Sequence, residues 1–225
     1  MALLELKEVN KVFMSGRTEI EALKTTNFSA DSGELIAVIG PSGSGKSTFL
    51  TIAGGLQAPS NGEVIVNDQN LTNLKEKERA SIRLKEIGFV LQASNLVPFL
   101  TVNQQMHLLD KVKKDNMDNT QIQSLYRALG IEDLLTSFPS DLSGGERQRV
   151  ALAKALYTDP SIILADEPTA SLDSDRAFEV MEMLKNATTN HGKTTIVVTH
   201  DTRLIDYCDK VYKIIDGTLN LESHK

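Results

Sequence analysis

A glycine-rich run that ends in lysine and serine is the part of this sequence best suited to chemistry. Residues 40–48 read Gly-Pro-Ser-Gly-Ser-Gly-Lys-Ser-Thr, after an apolar run and before a helix-like stretch at 47–52. Glycines at this spacing let backbone N–H groups close around phosphate oxygens, and a following helix N-terminus adds its dipole. We expect Lys46 to reach the β- and γ-phosphates of a nucleotide and Ser47 to ligate Mg²⁺. The predicted nucleotide-binding residues here are Gly40, Ser42, Gly43, Ser44, Gly45, Lys46, Ser47 and Thr48.

A pair of adjacent acids offers a second reactive group. Asp166 and Glu167 directly follow the apolar run at 162–165. We expect Asp166 to hold Mg²⁺ through its water shell and Glu167 to orient and deprotonate an attacking water. The alternative is a strand-to-turn connection whose acids face solvent. With the phosphate loop, the pair predicts nucleotide hydrolysis, and a kinase is the less favoured interpretation.

Four short apolar runs must position these groups. They cover residues 35–39, 87–91, 162–165 and 195–199, and polar or glycine residues follow each of them. Short β-branched runs without alternation are typical of parallel strands buried on both faces, and ligands of such sheets bind beyond the strands' carboxyl ends. We therefore expect four groups to meet at one edge of the sheet. They are Gly40, Gln92, the pair Asp166 and Glu167, and His200.

The remaining segments predict the surroundings of this sheet. Residues 4–13, and 63–66 after an Asn61-Gly62 turn signal, indicate a small antiparallel region. Asp216-Gly217 indicates a hairpin between 211–215 and 218–221. The stretch 93–157 is mostly helical in pattern; one helix is expected to bury Ile122, Leu125, Tyr126 and Leu129 and to stop at Gly130. The predicted fold is α/β, a P-loop NTPase core with a mainly parallel sheet and an inserted helical subdomain.

Composition limits the class of protein. The chain has 225 residues and a net charge of −6, from 24 Lys+Arg and 30 Asp+Glu. We expect neither a membrane span nor a secretory signal, because the apolar runs are too short and the N-terminus lacks the pattern. A single cysteine, Cys208, suits a reducing compartment. The acidic balance argues against nucleic acid as the partner, and the absence of a long repeat argues against two tandem copies of the unit.

A second glycine pair stands at a predicted helix start. Residues 142–149 read Leu-Ser-Gly-Gly-Glu-Arg-Gln-Arg before the helix-like stretch 150–156. Ser143 and Glu146 alone predict a capping box. Two adjacent glycines add nothing to capping, whereas an anion needs close backbone approach and free N–H donors there. The pattern favours a second phosphate contact over capping alone.

Across essentially its whole length, the sequence resembles the ATP-binding subunits of ABC transporters. The matches are Phe13 at the adenine-stacking position, 40–48 as Walker A, Gln92 as the Q-loop glutamine, 142–146 as the signature, 162–166 as Walker B, Glu167 as the catalytic glutamate, 171–173 as the D-loop and His200 as the switch histidine. Taken alone, Phe13 is equally consistent with an aromatic residue on an edge strand. Phenylalanine at that position keeps the stacking face of the commoner tyrosine but lacks its hydroxyl.

The resemblance implies an ABC ATPase fold and a mechanism. The fold would be one domain, with an α/β core at 1–91 and 158–225 and a helical subdomain at 92–157. Two copies would form a head-to-tail dimer that encloses two ATP molecules, each between Walker A of one subunit and Ser143, Gly144 and Gly145 of the other. Catalytic roles would fall to Glu167, His200, Gln92 and Lys46, Mg²⁺ would contact Ser47, Gln92 and Asp166, and Asp173 would bridge the two sites.

The resemblance also implies a membrane partner. Residues 93–100 are rich in apolar side chains; in transport subunits this segment receives a coupling helix of the permease, and the alternative is a local cap over the helical subdomain. We therefore expect the chain at the cytoplasmic face of the membrane, held by a permease. Residues 54–56 and 165–169 resemble those of macrolide exporters and lipoprotein-release ATPases. Ala170-Ser171 departs from the Gly-Asn usual in that group, and the segments 96–98, 170–177 and 199–204 look closer to haem exporters of Gram-positive bacteria. The alternative function is a mechanical or signalling module that moves no cargo.

Overall fold

The computed structural model describes residues 2–170 and 172–224, without the side chains of Asn190, His191 and His224. The strands are β1 (Ala2–Ser15), β2 (Thr18–Asp31), β3 (Leu35–Ile39), β4 (Asn61–Val66), β5 (Gln69–Asn70), β6 (Ile87–Val90), β7 (Ile162–Asp166), β8 (Thr194–Val198), β9 (Lys210–Ile215) and β10 (Thr218–His224). The α-helices are α1 (Lys46–Ala53), α2 (Glu76–Glu86), α3 (Val102–Leu109), α4 (Asn119–Ala128), α5 (Gly144–Tyr157) and α6 (Ser174–His191).

The larger sheet has the order β10-β9-β3-β8-β7-β6, and its strands from β9 to β6 are parallel. Its faces are both covered. In β3, Leu35 and Ala37 belong to one apolar cluster with α3 to α6, whereas Ile36 and Val38 belong to a second cluster with α1 and the smaller sheet. Burial on both faces explains the unalternating apolar runs, and the four predicted strands are confirmed within one residue at each end.

The smaller sheet is antiparallel, in the order β2-β1-β4-β5. It confirms the antiparallel region predicted from 4–13 and 63–66. The Asn61-Gly62 pair is the exception, since it opens β4 and pairs with β1 through Asn10 and Asn61. A Cβ at Gly62 would lie 2.4 Å from the carbonyl oxygen of Glu8. Glycine is therefore required by this close approach of strands, and the predicted turn is wrong at this position.

The helical stretch after β6 contains α3, α4 and α5 with 3₁₀ turns at Glu132–Leu134 and Pro139–Asp141. In α4, Ile122 and Tyr126 are buried, and Leu129 is buried at its end. Gly130 follows with φ 58°, the left-handed conformation that ends a helix. The predicted apolar face and stop are therefore confirmed.

The C-terminal hairpin is also confirmed. Thr218 pairs with Ile215 across the turn, and Asp216 and Gly217 have φ values of 47° and 76°. Positive φ at both central residues is the pattern of a tight turn whose twist matches its strands. Strands β2 and β5 and helices α2 and α6 were not predicted from the sequence.

Candidate functional site

A cavity of about 640 Å³ lies beyond the carboxyl ends of the parallel strands. It brings together the groups that the sequence predicted to meet at this edge. Its lining residues are Ala22, Gly40, Pro41, Ser42, Gly43, Gly45, Lys46, Ser47, Thr48, Gln92, Asp166, Glu167 and His200. The prediction of convergence is confirmed, although the loops come from four separate parts of the chain.

The loop between β3 and α1 forms one wall of the cavity. Gly45 precedes α1 with φ 108°, and no side chain caps this helix N-terminus. A Cβ at Gly45 would lie 2.3 Å from the carbonyl oxygen of Ala22, so the position requires glycine. Lys46 Nζ donates to the carbonyl oxygens of Gly40 and Pro41, both at 2.8 Å. The result is a helix N-terminus beside a lysine, the combination that attracts anions.

Two elements that the sequence analysis did not connect with the site support this loop. The amide of Gly217, in the turn between β9 and β10, donates to the carbonyl oxygen of Ser44 at 3.0 Å. The amide of Lys24 on β2 donates to the carbonyl oxygen of Gly217 at 2.8 Å. Ser44 itself is buried, and its hydroxyl has no partner among the described residues. The hairpin and β2 thus fix the outer side of the loop.

Asp166 ends β7 opposite the start of α1. Ser47 Oγ donates to Asp166 Oδ2 at 3.3 Å. Burial raises the pKa of the Asp166 carboxyl, and the hydrogen bond from Ser47 opposes this shift. A raised pKa means that the charged form is costly in its surroundings, and a nearby cation would lower that cost.

Glu167 follows in a strained conformation, with φ 49° at a residue that has a side chain. Its amide donates to the carbonyl oxygen of Val198 at 2.8 Å. Glu167 Oε1 lies 2.8 Å from His200 Nδ1, and Glu167 Oε2 accepts from Thr199 Oγ1 at 3.2 Å. The glutamate side chain is 14% exposed and the histidine side chain 72%. The carboxylate is therefore held by the β8 loop while the imidazole stays open to the cavity.

Phe13 does not line this cavity. It lies exposed on β1, paired with Ile20, and the ammonium group of Lys11 stands 5.2 Å from the centre of its ring. The cavity residue from the same sheet is Ala22 on β2. The stacking role of Phe13 stays a prediction.

The signature residues stand at a different helix. Ser143 caps α5, with its hydroxyl accepting from the amide of Glu146 at 3.3 Å and its own amide donating to Glu146 Oε2 at 2.7 Å. The predicted capping box is therefore confirmed. Gly144 and Gly145 form the first turn of α5, and none of the three signature residues lines the cavity.

The D-loop segment lies against this turn. A Cβ at Gly145 would be 3.0 Å from Leu172 Cδ2. Asp173 caps α6 by accepting from the amide of Arg176 at 3.0 Å. Ser171, the first residue of the predicted D-loop, lies outside the described residues. The chain thus carries two glycine-flanked helix N-termini, and only the one at α1 belongs to the cavity.

The segment after Gln92 behaves in two ways. Residues 93–95 line a cleft of about 240 Å³ together with apolar side chains of β6 and α5 and with Lys154. Leu96 packs against the core cluster, whereas Phe99 is 75% exposed. The packing of Leu96 fits a local cap over the helical subdomain, and docking of a permease helix stays a prediction. Within residues 2–170 and 172–224, no helix is long and apolar enough to cross a membrane.

Comparison with known proteins identifies relatives over the whole chain. The profile of the ABC transporter family matches residues 23–170. A putative hemin import ATP-binding protein HrtA from Staphylococcus haemolyticus is 46% identical over 97% of this chain and 99% of the relative. The protein of the same name from Staphylococcus saprophyticus is 44% identical over 96% of this chain and 98% of the relative.

Solved structures agree with this result. A dimeric post-hydrolysis state of the ATP-binding cassette MJ0796 bound to ADP and Pi has a TM-score of 0.90 at 37% identity, covering 99% of both chains. A second dimeric structure of MJ0796, described as a bacterial ABC transporter cassette, has a TM-score of 0.90 at 36% identity and covers 99% of this chain and 97% of that one. The chain therefore belongs to the ABC transporter family, as an ATP-binding and ATP-hydrolysing subunit with the ABC ATPase fold.

Proposed function

We propose that two copies of this chain enclose two MgATP molecules head to tail and hydrolyse them to power a separate membrane permease. The main support is that Lys46 and Glu167 line the cavity, whereas Ser143 to Gly145 lie outside it at the start of α5. The described part of one chain thus has two glycine-flanked helix N-termini, at α1 and α5, and only the α1 terminus lines this cavity. A second copy resolves this, because its signature helix can cover the cavity of the first. The dimeric MJ0796 cassettes support the arrangement.

The roles follow from the contacts. Lys46 and the amides from Gly40 to Thr48 bind the phosphates. Glu167 takes the proton of the attacking water, since its carboxylate is fixed by Thr199 and lies at the cavity wall. His200, beside Glu167, contacts the γ-phosphate and orients the reacting groups.

Further contacts complete the proposed site. Gln92, which follows β6 and lines the cavity, would hold Mg²⁺ and the attacking water. Phe13 stacks on the base. Across the dimer, Ser143, Gly144 and Gly145 donate to the γ-phosphate, and Asp173 links the two sites.

The donor set fits Mg²⁺. Ser47 and Asp166 offer a hydroxyl and one carboxylate, with Gln92 on the same cavity. No group of three or more His, Cys, Asp or Glu able to hold a metal occurs in the described part of the chain, which suits an ion held by few protein oxygens plus phosphates and waters. When bound, Mg²⁺ neutralises charge on the phosphate oxygens, and it would relieve the cost of burying Asp166.

The permease is proposed to dock on the helical subdomain, residues 92–157, rather than on the α/β core, residues 1–91 and 158–225. The cleft beside residues 93–95 offers an apolar surface with Lys154 at its wall. Docking there would keep the chain at the cytoplasmic face of the membrane. It would also place the partner next to Gln92, so that ATP binding and movement of the permease are coupled through one loop.

The proposed cargo is haem, and the proposed direction is export. The hemin import ATP-binding proteins named above support the cargo, although their name gives the opposite direction. Haem transport is tested by rebuilding the chain with its permease in liposomes of known orientation. ATP-dependent haem movement away from the ATPase side supports export, and movement toward that side contradicts it. ATP turnover without movement of haem favours the mechanical module.

The hydrolytic role is tested by Glu167→Gln. Removing the base should lower kcat by about 10²-fold or more while ATP still binds, because the contacts of Lys46 and Ser47 remain. Glu179→Gln, an exposed glutamate on α6, is the matched control and should retain wild-type kcat. A Glu167→Gln protein that hydrolyses ATP at the wild-type rate would contradict the assignment.

A further inference from the structure

Arg203 lies in the 3₁₀ turn Thr202–Tyr207, just after His200. Its guanidinium bonds two residues, Asp201 and Ser174. Its Nε donates to Asp201 Oδ1 at 2.9 Å and its Nη2 to Asp201 Oδ2 at 2.6 Å. Its Nη1 donates to Ser174 Oγ at 2.9 Å. The planar fork of an arginine can make all these bonds at once, which a lysine cannot.

These contacts join two segments that the proposed mechanism uses separately. Ser174 is the first residue of α6, next to Asp173. On the other side, the amide of Asp201 donates to Thr199 Oγ1 at 3.0 Å, and Thr199 Oγ1 donates to Glu167 Oε2. Hydrogen bonds thus run without a gap from the start of α6, through Arg203, to the carboxylate of Glu167.

An ordinary surface ion pair is the simpler explanation. The Arg203 side chain is 58% exposed, and exposed ion pairs contribute little to stability. A local pair would need only the bonds to Asp201. The bond to Ser174 reaches an element 29 residues away in sequence. It is this bond that gives Arg203 a position between Asp173 and the loop of His200.

We propose that Arg203 is a positioning residue for ATP hydrolysis. It fixes the loop that carries His200, and through this loop the side chain of Glu167, relative to the start of α6. This inference rests on the proposed function, because the start of α6 would meet the partner subunit through Asp173. Through Arg203, closure of the dimer would then position Glu167 and His200 of the same subunit. It contacts neither the nucleotide nor the water.

The test is a double-mutant cycle with ATP turnover as the readout. Arg203→Ala and Ser174→Ala should each lower kcat by about 5- to 20-fold and leave KM for ATP within about twofold, because a small displacement of a reacting group is costly while ATP binding is remote from Arg203. The double variant should be no slower than the slower single variant. Arg203→Lys should stay at least about 3-fold below wild type, since the fork is lost.

Arg127→Ala is the matched control, because Arg127 also pairs with a carboxylate on the surface, at 3.5 Å from Glu132. It should retain wild-type kcat. If Arg203→Ala keeps wild-type kcat, or if the two single effects multiply in the double variant, the proposal is wrong. Additivity would mean that Arg203 does not act through Ser174.

A readout without turnover separates this inference from the proposed function. Hydrogen exchange at the amide of Asp201 should be several-fold faster in Arg203→Ala and in Ser174→Ala than in wild type or Arg127→Ala. Unchanged exchange would contradict the role of Arg203 even if the wild type hydrolyses ATP. A wild type that fails to hydrolyse ATP would contradict the proposed function, and the exchange measurement would still decide on Arg203.

Discussion

The two glycine-flanked helix N-termini of this chain differ in how they are satisfied. At α1, Gly45 provides no side-chain cap. At α5, Ser143 and Glu146 bond each other's amides. The first amides of α1 have no side-chain cap and can bond water or a ligand, whereas Ser143 and Glu146 cap α5 and leave its glycine turn for a phosphate.

The neighbouring acids differ in the same sense. Burial raises the pKa of Asp166 beside α1. Bonds from the side chain and the amide of Ser143 lower the pKa of Glu146 at α5. The nucleotide cavity thus carries an electrostatic cost that a cation can relieve, and the signature turn carries none. The α1 terminus is therefore suited to binding a nucleotide in its own cavity, and the α5 terminus is suited to contacting a nucleotide bound by another copy.

The largest effect is expected for the binding terminus. Lys46→Ala removes the ammonium group beside the loop, so the affinity for ATP should fall by about 10²-fold or more, the scale of losing one charged donor in a preorganised site. Equilibrium binding of ATP measures this. Lys7→Ala, an exposed lysine paired with Glu5, is the control. If Lys46→Ala binds ATP with wild-type affinity, the assignment of ATP binding to the α1 terminus is wrong.

The glycines of the two termini should fail in different ways. In Gly145→Ala the new Cβ meets only side-chain ends, Leu172 Cδ2 at 3.0 Å and Arg176 Nη1 at 3.6 Å. We expect a free energy of unfolding within about 1 kcal/mol of wild type, normal ATP binding, and kcat lower by about 10²-fold because the phosphate loses its close approach. Thermal unfolding, ATP binding and turnover check these three expectations.

Gly45→Ala is the counterpart at α1. Its Cβ meets the carbonyl oxygen of Ala22 at 2.3 Å, and its φ of 108° is unfavourable for alanine. We expect a loss of about 1–3 kcal/mol in the free energy of unfolding, together with weaker ATP binding. Equal stability losses in Gly45→Ala and Gly145→Ala would contradict the account of the two loops.

The smallest effect concerns Asp166. Because its folded pKa is raised, its charge destabilises the folded state above that pKa, and the cost disappears as the pH falls through it. Without nucleotide, Asp166→Asn should therefore raise Tm near pH 7 by about 1–3 °C. The gain should shrink as the pH is lowered. A lower Tm in Asp166→Asn without nucleotide would show that the carboxylate stabilises the fold.

Local patterns were enough to predict the main parts of the site. The loop at 40–48, the acids after β7 and His200 after β8 each follow a short apolar strand, and parallel strands bring their carboxyl ends together. The capping box at Ser143 is likewise local. These features depend on neighbours within a few residues, which a sequence displays directly.

Contacts between distant segments could not be predicted in this way. The bond from Gly217 to Ser44 of the phosphate loop joins segments that are far apart in the sequence. Strand β2 is exposed over its first half and has irregular register with β1, so its pattern of alternation is weak. The bond between Arg203 and Ser174 has no local signature at all. The turn predicted at Asn61-Gly62 is wrong because a close approach of two strands requires glycine as a tight turn does.

In the proposed dimer, the α5 terminus of one copy closes the cavity of another around ATP. Light scattering of Glu167→Gln at saturating ATP tests it most directly, because this variant should bind ATP without hydrolysing it. We expect Glu167→Gln to be a monomer of 24.7 kDa without nucleotide and a dimer of twice that mass with ATP. The double variant with Gly145→Ala should stay a monomer with ATP. A Glu167→Gln protein that binds ATP and stays monomeric would contradict the account.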